Sequence, residues 1–487
     1  MGKLNLGKSA YAVFLFCATT AIVLPAQTLT TLHSFNYITN GVSRVVQATN
    51  GSLYGTTLSG GANNSGAIFK ITPSGTLTTL YSFCSQSGCT DGSSPAAALI
   101  QATDGNFYGT TPSGGANTNN LCHGCGTIFK ITPSGTLTTL YSFCSQSDCT
   151  DGFAPTAALV QATDGNFYGT TYEGGDGHSA FCRRYSGCGT VFKIAPSGTL
   201  TTLHSFDSTD GYEPNAALIQ ATDGSFYGTT IGGGVNGYGT VFKITPSGTL
   251  TSLHSFNFPD SNAPYSGVVQ ATDGNFYGTT YAGGNGFVTI FKITPSGTET
   301  KLYTFCGQVR GCPDGEYAYA GLVQATDGNL YGTTAEGGAN GWGTVYKITP
   351  SGTLTTLYSF CSQNGCTDGS FPVVTLTQDT NGMFYGTTVL GGAVNPNNGT
   401  VFSLSAGLGP FVETQTTSGK VGGAVKILGP NLTGSTSVTF NGTAASFTVA
   451  SNSLITTNVP AGATTGTVQV VTPGGTLSSN VPFRVRP

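Results

Sequence analysis

Apolar positions between residues 97 and 143 fall into four short runs, AALIQAT, NFYGTT, GTIFKIT and TLTTLYSF, separated by polar and glycine-rich links. Each run is rich in Val, Ile, Thr, Tyr and Phe and bounded by Gly, Pro, Asp or Ser, which predicts strands. No stretch repeats its apolar residues at helical spacing. T-D-G-N joins the first two runs and T-P-S-G-T the last two. Both are tight hairpin links in which Asp, Pro and Gly supply the required backbone angles. One unit is therefore a four-stranded antiparallel meander.

The Asn/Asp-Gly turn before the second run recurs at Asn50, Asp104, Asp164, Asp223, Asp273, Asp327 and Asn381. A unit repeated at this length buries its faces only against copies of itself, as in a linear solenoid or a radial array. The two ends of the array decide between them. TLTTLHSF (28–35) stands alone at the start, and the last unit ends at GTVFSLS (399–405) without its fourth run. The expectation is an all-β chain: a seven-bladed β-propeller over 28–405, closed by the N-terminal strand. After Ser405 the repeat stops, and residues 409–487 read as short strands with glycine turns, predicting a small β-sandwich.

Ahead of the repeats, Lys3 and Lys8 precede an apolar run from Ala10 to Leu24, the layout of a signal peptide over 1–26 cleaved near Ala26. The mature chain is then expected to have no membrane span and to be secreted, held at the cell surface or periplasmic. Charged residues are 8% of the chain and the net charge is −4, which excludes the concentrated basic face that nucleic acid requires. The 29 Phe and 22 Tyr argue against disorder.

In a closed array, the TDGN and TPSG hairpins share one rim. The loops of varying length share the other, which makes that rim the candidate functional surface. Every cysteine beyond residue 26 lies in those variable loops: Cys84/Cys89, Cys122/Cys125, Cys144/Cys149, Cys182/Cys188, Cys306/Cys312 and Cys361/Cys366. For an exported chain the expectation is disulfides that fix loop shape. Cys122-His123-Gly124-Cys125 admits two sharper readings, a redox pair or a zinc site shared with His178, Cys182 and Cys188. Connectivity between these two loops stays open.

The sequence holds no H-E-x-x-H and no G-x-S-x-G. His33, His204 and His254 fill a slot that Tyr81, Tyr141, Tyr303 and Tyr358 fill elsewhere, and read as interchangeable packing residues. Asp91, Asp151, Asp210, Asp260, Asp314 and Asp368 recur once per inter-unit loop. They read as turn formers before they read as a calcium ring, and no cofactor is expected. Gln47, Gln101, Gln161, Gln220, Gln270, Gln324 and Gln378 recur in the first run and suggest backbone ties between units. A ligand site has to break this symmetry, and aromatics do so: Tyr238, Phe287 and Trp342 before the third run, with Tyr172, Tyr212, Tyr265, Tyr281, Tyr317 and Tyr319 in nearby loops. Aromatic faces among Asn, Gly and Thr suit sugar rings.

The wording S-G-K-V-G-G, V-T-F-N-G, V-P-A-G and T-P-G-G, in that order after residue 417, resembles the IPT/TIG family of immunoglobulin-like domains. That resemblance implies a spacer or interaction module. DGNFYGTT, GTVFKITPSG and TLYSF resemble the GloVer-type tandem repeats of exported bacterial proteins, from which no catalytic residue carries over. The combined reading is a monomeric, non-catalytic exported protein that binds glycan or a surface protein through the variable rim. The rivals are a polysaccharide hydrolase or lyase using Glu173, Glu213, Glu316 or Glu336, and a purely structural matrix protein.

Overall fold

A computed structural model describes residues 27–36, 39, 41–118, 122, 124–176, 181–182, 186–258, 261–283, 288–306, 311–394 and 398–486. The signal-peptide segment, His123, His178, Asp260 and Phe287 lie outside the described residues.

The repeat region is all-β and propeller-like. Seven four-stranded antiparallel sheets follow one another, numbered here 1–7 in order of their innermost strands. Sheet 2 is typical, with Ile100–Gln101, Phe107–Thr111, Thr127–Ile131 and Leu137–Ser142 in meander order. Sheet 7 takes three strands from Thr377–Gln378, Phe384–Thr388 and Thr400–Ser405, and its outer strand is Thr28–Ser34. Thr28 lies opposite Ser405 and Ser34 opposite Thr400, the pairing expected from the lone first run.

The innermost run differs from expectation. AALIQAT pairs with its neighbour only over Ile100–Gln101, because residues before it face a central cavity rather than another strand.

Two side-chain systems join successive sheets. In the first, the ring of Tyr108 stacks on Phe167 of the next sheet at 4.1 Å between centroids; Tyr54 with Phe107 and Tyr168 with Phe226 repeat the contact. In the second, a glutamine amide caps a backbone N–H of the preceding sheet. Thr49 N–H donates to Gln101 Oε1 at 2.8 Å and Thr103 to Gln161 at 2.9 Å, and the series continues until Thr380 N–H donates to Gln47 Oε1 at 3.0 Å. Each amide satisfies a donor that the two-residue inner strand leaves unpaired.

Glycine inside the second strand is set by packing. A Cβ on Gly109 would stand 2.6 Å from Phe129 Cζ and 2.9 Å from Leu99 Cδ2, so the phenyl ring occupies the space a side chain would need.

The C-terminal residues form two further four-stranded sheets around a core that includes Val425, Ile427, Val438, Phe440, Ile455 and Val468. This module sits on the short-hairpin rim of sheets 1, 2 and 7. Lys426 Nζ donates to Thr103 O at 2.8 Å, Gln415 Nε2 to Ala102 O at 3.0 Å, Ser453 Oγ to Thr49 O at 2.8 Å, and Phe411 N to Thr380 O at 2.9 Å.

Candidate functional site

In an antiparallel meander, the link between the second and third strands and the link to the next sheet leave from the same end. The isolated bridges Ser93 to Ser113, Phe153 to Glu173, Tyr212 to Gly232, Glu316 to Glu336 and Ser370 to Leu390 tie these two kinds of link together. All six disulfides lie here, paired within each loop: Cys84–Cys89, Cys122–Cys125, Cys144–Cys149, Cys182–Cys188, Cys306–Cys312 and Cys361–Cys366. The TDGN turns stand at the other end, where Asp104 accepts hydrogen bonds from Asn106 and Tyr108 and pairs with Lys130 at 3.3 Å.

The inter-unit aspartates clamp the loops. Asp91, Asp151 and Asp368 are fully buried. Asp91 Oδ2 accepts from Tyr81 Oη at 2.8 Å and from Ser85 N at 2.9 Å, and Asp151 and Asp368 repeat the arrangement. Their oxygens are thus occupied by protein donors, which argues against a calcium ring.

The histidine and tyrosine slot is corrected by the same geometry. Tyr81, Tyr141, Tyr303, Tyr358 and His204 are polar partners of the aspartate rather than packing residues alone, with His204 Nε2 2.7 Å from Asp210 Oδ2, whereas His33 and His254 pack edge-on against Phe35 and Phe256. The tyrosines occur where a cysteine follows three residues later, directly after Phe, and the histidines where it does not, a correlation readable in the sequence.

The zinc reading is corrected too. Cys122 approaches Cys144 and Cys149 of its own unit rather than Cys182 and Cys188, and all five are in disulfides.

One backbone feature shapes the rim. Ser94, Ala154, Glu213, Ala263, Tyr317 and Phe371 hold equivalent positions with φ between 48° and 58°. A non-glycine residue there costs on the order of 1 kcal/mol. The turn aims its N–H back at the preceding unit: Glu213 N donates to Cys188 O at 3.1 Å, Ala263 N to Tyr238 O at 3.0 Å, and Phe371 N to Trp342 O at 3.2 Å. Glu213 and Tyr317 are therefore fixed by the scaffold.

The aromatic residues separate into an inner and an outer set. Tyr265, Tyr281, Tyr317 and Tyr319 form one cluster at the mouth of the central cavity. Tyr281 stacks on Tyr319 at 5.5 Å and on Tyr317 at 5.9 Å, and Tyr265 meets Tyr281 at 5.2 Å and Tyr319 at 6.1 Å. Tyr172 lies near Glu213, and burial first and Glu213 second raise its pKa. The outer set makes separate pairs: Tyr212 with Phe181, Tyr238 with Phe258, and Trp342 with Phe371 at 5.5 Å. Trp342 and Tyr238 are each 42% exposed.

Four glutamates accompany the inner cluster. Burial raises the pKa of Glu173, and the charge of Glu213 adds to it. Burial likewise raises Glu316, assisted by Glu336. Tyr317 is raised first by the charge of Glu316, and Tyr319 is pushed up to about 12 by burial and its neighbours, Tyr281 foremost. The phenols therefore stay protonated as donors at neutral pH. Half-buried carboxyl pairs that disfavour double ionisation are also suited to proton transfer. Among these residues the sequence reading identified the tyrosines and the four acids one by one, but not that the fold brings Glu173 and Glu213, and Glu316 and Glu336, together.

Below the mouth lies a cavity of about 360 Å³, lined by residues of all seven sheets: Tyr265, Tyr319, Thr156 and Asn215 hold equivalent positions at one level, and small side chains and Arg44 hold the next. A volume of this order is in the range of small-molecule sites.

The model of the Gloeobacter/Verrucomicrobia repeat matches residues 19–185, 183–324 and 308–465. No curated protein matches the sequence. Among solved structures, a fungal alcohol oxidase of the AA5 family in complex with copper is similar at 13% identity, over 94% of this chain and 99% of that one, with a TM-score of 0.52. A periplasmic gluconolactonase from Pseudomonas aeruginosa is 16% identical over 73% of this chain and 97% of that one, with a TM-score of 0.41. An auxiliary nutrient binding protein from Bacteroides ovatus is 12% identical over 78% and 76%, also at 0.41.

These likenesses concern fold alone. The first nonetheless corrects the expectation of a non-catalytic protein, because the architecture is shared with an enzyme and missing hydrolase motifs do not exclude catalysis. Copper is not carried over. Among the described residues, the two groups close enough to share an ion are Cys122, Cys144, Cys149 and Cys306, Cys312, Glu316, whose cysteines are in disulfides.

Proposed function

This chain belongs to the Gloeobacter/Verrucomicrobia repeat family, and we propose that it recognises a glycan outside the cell at the tyrosine-lined mouth of its central cavity. The reading takes the seven sheets as blades of a propeller closed by Thr28–Ser34, and the C-terminal module as an immunoglobulin-like spacer of the IPT/TIG kind. Export is supported by six disulfides, which persist in oxidising compartments. Among the described residues no helix is long and apolar enough to cross a membrane.

The observation that carries the proposal is the contiguous cluster of Tyr265, Tyr281, Tyr317 and Tyr319 over a cavity of about 360 Å³. Aromatic faces take the C–H faces of a sugar, while phenol donors and glutamate acceptors take its hydroxyls.

A second reading, hydrolysis or lyase cleavage of the bound glycan, is favoured by the coupled carboxyl pairs Glu173/Glu213 and Glu316/Glu336. A glycan array tests the first reading. Assays for new reducing ends and for unsaturated products, run on every glycan that binds, test the second.

A further inference from the structure

Sheet 1 breaks the symmetry of the cavity wall in a way the aromatic mouth does not explain. At one level of the wall the seven sheets present Ala98, Ala158, Ala217, Gly267, Gly321 and Thr375, and in the first sheet Arg44. Six small side chains leave room around a single long cation. Its Nε donates to Thr377 Oγ1 at 3.0 Å. No other hydrogen bond and no ion pair of Arg44 is found among the described residues, so four of its five N–H donors have no protein acceptor. Desolvation by the surrounding protein lowers the arginine's pKa, outweighing the attraction of Glu413 on the segment leading into the C-terminal module.

A half-buried guanidinium that lines the cavity with free donors is a site for a planar oxyanion, which it holds by two parallel hydrogen bonds. The access route restricts the class further. A ligand reaching Arg44 from the variable rim passes Glu173, Glu213, Glu316 and Glu336, which disfavour a chain charged along its length.

We propose that the cavity takes the end of a sugar chain whose terminal residue carries one carboxylate, held by Arg44, with uncharged residues stacked on the tyrosines above. This rests on the glycan reading and names the end group that the site selects. The sugar chain ends at Arg44 rather than threading through, since the segment leading into the C-terminal module lies at the short-hairpin end, where Phe411 N donates to Thr380 O and Gln415 Nε2 to Ala102 O.

The test compares oligosaccharides of one sequence with a neutral or a uronic-acid terminal residue, by array and then calorimetry, on the full chain. The expected result is at least tenfold tighter binding of the acid-ended chain. Arg44→Ala should bring the ratio of the two affinities to about one, and Arg44→Lys, which keeps a point charge without the fork, should leave an intermediate ratio. Thermal midpoints of both variants verify folding, and the lysine variant serves if the alanine one does not fold. Neutral and acid-ended chains binding equally would overturn the inference and leave the glycan reading standing. A preference that survives Arg44→Ala would overturn the role of Arg44. Failure of every chain to bind would overturn both.

Discussion

Asp379 occupies a position that alanine fills in the other six repeats, at Ala48, Ala102, Ala162, Ala221, Ala271 and Ala325. It is 3% exposed. Oδ1 accepts the N–H of Asn381 at 3.0 Å, whereas Oδ2 has no partner. Burial raises its pKa from 3.8 to about 6, against the lowering influence of the Asn381 hydrogen bond and of the neighbouring Thr380.

The folded state therefore holds the proton more tightly than the unfolded state. The contribution of Asp379 to stability is greatest below pH 3.8, falls as pH rises toward about 6, and is a constant penalty above that. At about 1.4 kcal/mol per pH step, the penalty is about 3 kcal/mol. Asp379→Ala removes it and gives up one hydrogen bond worth about 1 kcal/mol. The variant should be more stable than the parent by about 2 kcal/mol at pH 7.5, and no more stable, or slightly less, at pH 4.

Scanning calorimetry of both proteins at the two pH values measures the difference, in which all other titrating groups cancel apart from Glu413 and Tyr385, the groups coupled to Asp379. A difference that is the same at both pH values, or a variant less stable at pH 7.5, would refute the reasoning.

Other expectations follow from packing and pairing. Gly109→Ala should cost about 1–3 kcal/mol through the clash with Phe129, visible as a lower thermal midpoint. Removing residues 27–36 takes Phe35 and the half-buried Leu29 and Leu32 from their contacts and leaves Thr400–Ser405 as a bare edge, at about 1.5–3 kcal/mol for Phe35 and less for each leucine; an unchanged midpoint would show that this pairing contributes nothing. His204→Phe should destabilise by about 1–3 kcal/mol because Asp210 loses its partner, while His204→Tyr, which restores the pairing of the other sheets, should lie within about 1 kcal/mol of the parent.

Strand content was legible because each run carries its own boundaries: Tyr-Gly-Thr-Thr cannot slip register without moving the glycine away from the phenyl ring it accommodates. The partner of the first run was legible from the missing fourth run of the last unit. Long-range convergence was not. Tyr281 and Tyr319 lie on different sheets, and nothing local to either indicates that their rings stack. Arg44 and Asp379 were passed over for a related reason. Each replaces a small residue in only one repeat, so its meaning appears only when seven equivalent positions are aligned around the cavity. Spacing alone pairs Cys84/Cys89, Cys144/Cys149, Cys306/Cys312 and Cys361/Cys366 but leaves the Cys122/Cys125 and Cys182/Cys188 loops open, and the proximity of Cys122 to Cys144 and Cys149 depends on how two loops of one unit fold over each other.

The claim on which the functional account depends is that ligand contact occurs at the inner tyrosine cluster. It is tested by measuring glycan affinity for the parent, for Tyr281→Ala and for Lys130→Ala on the opposite rim, each shown to be folded by its thermal midpoint. The account predicts at least a tenfold loss for Tyr281→Ala and none for Lys130→Ala. Unchanged affinity in the tyrosine variant, or equal losses in both, would contradict it.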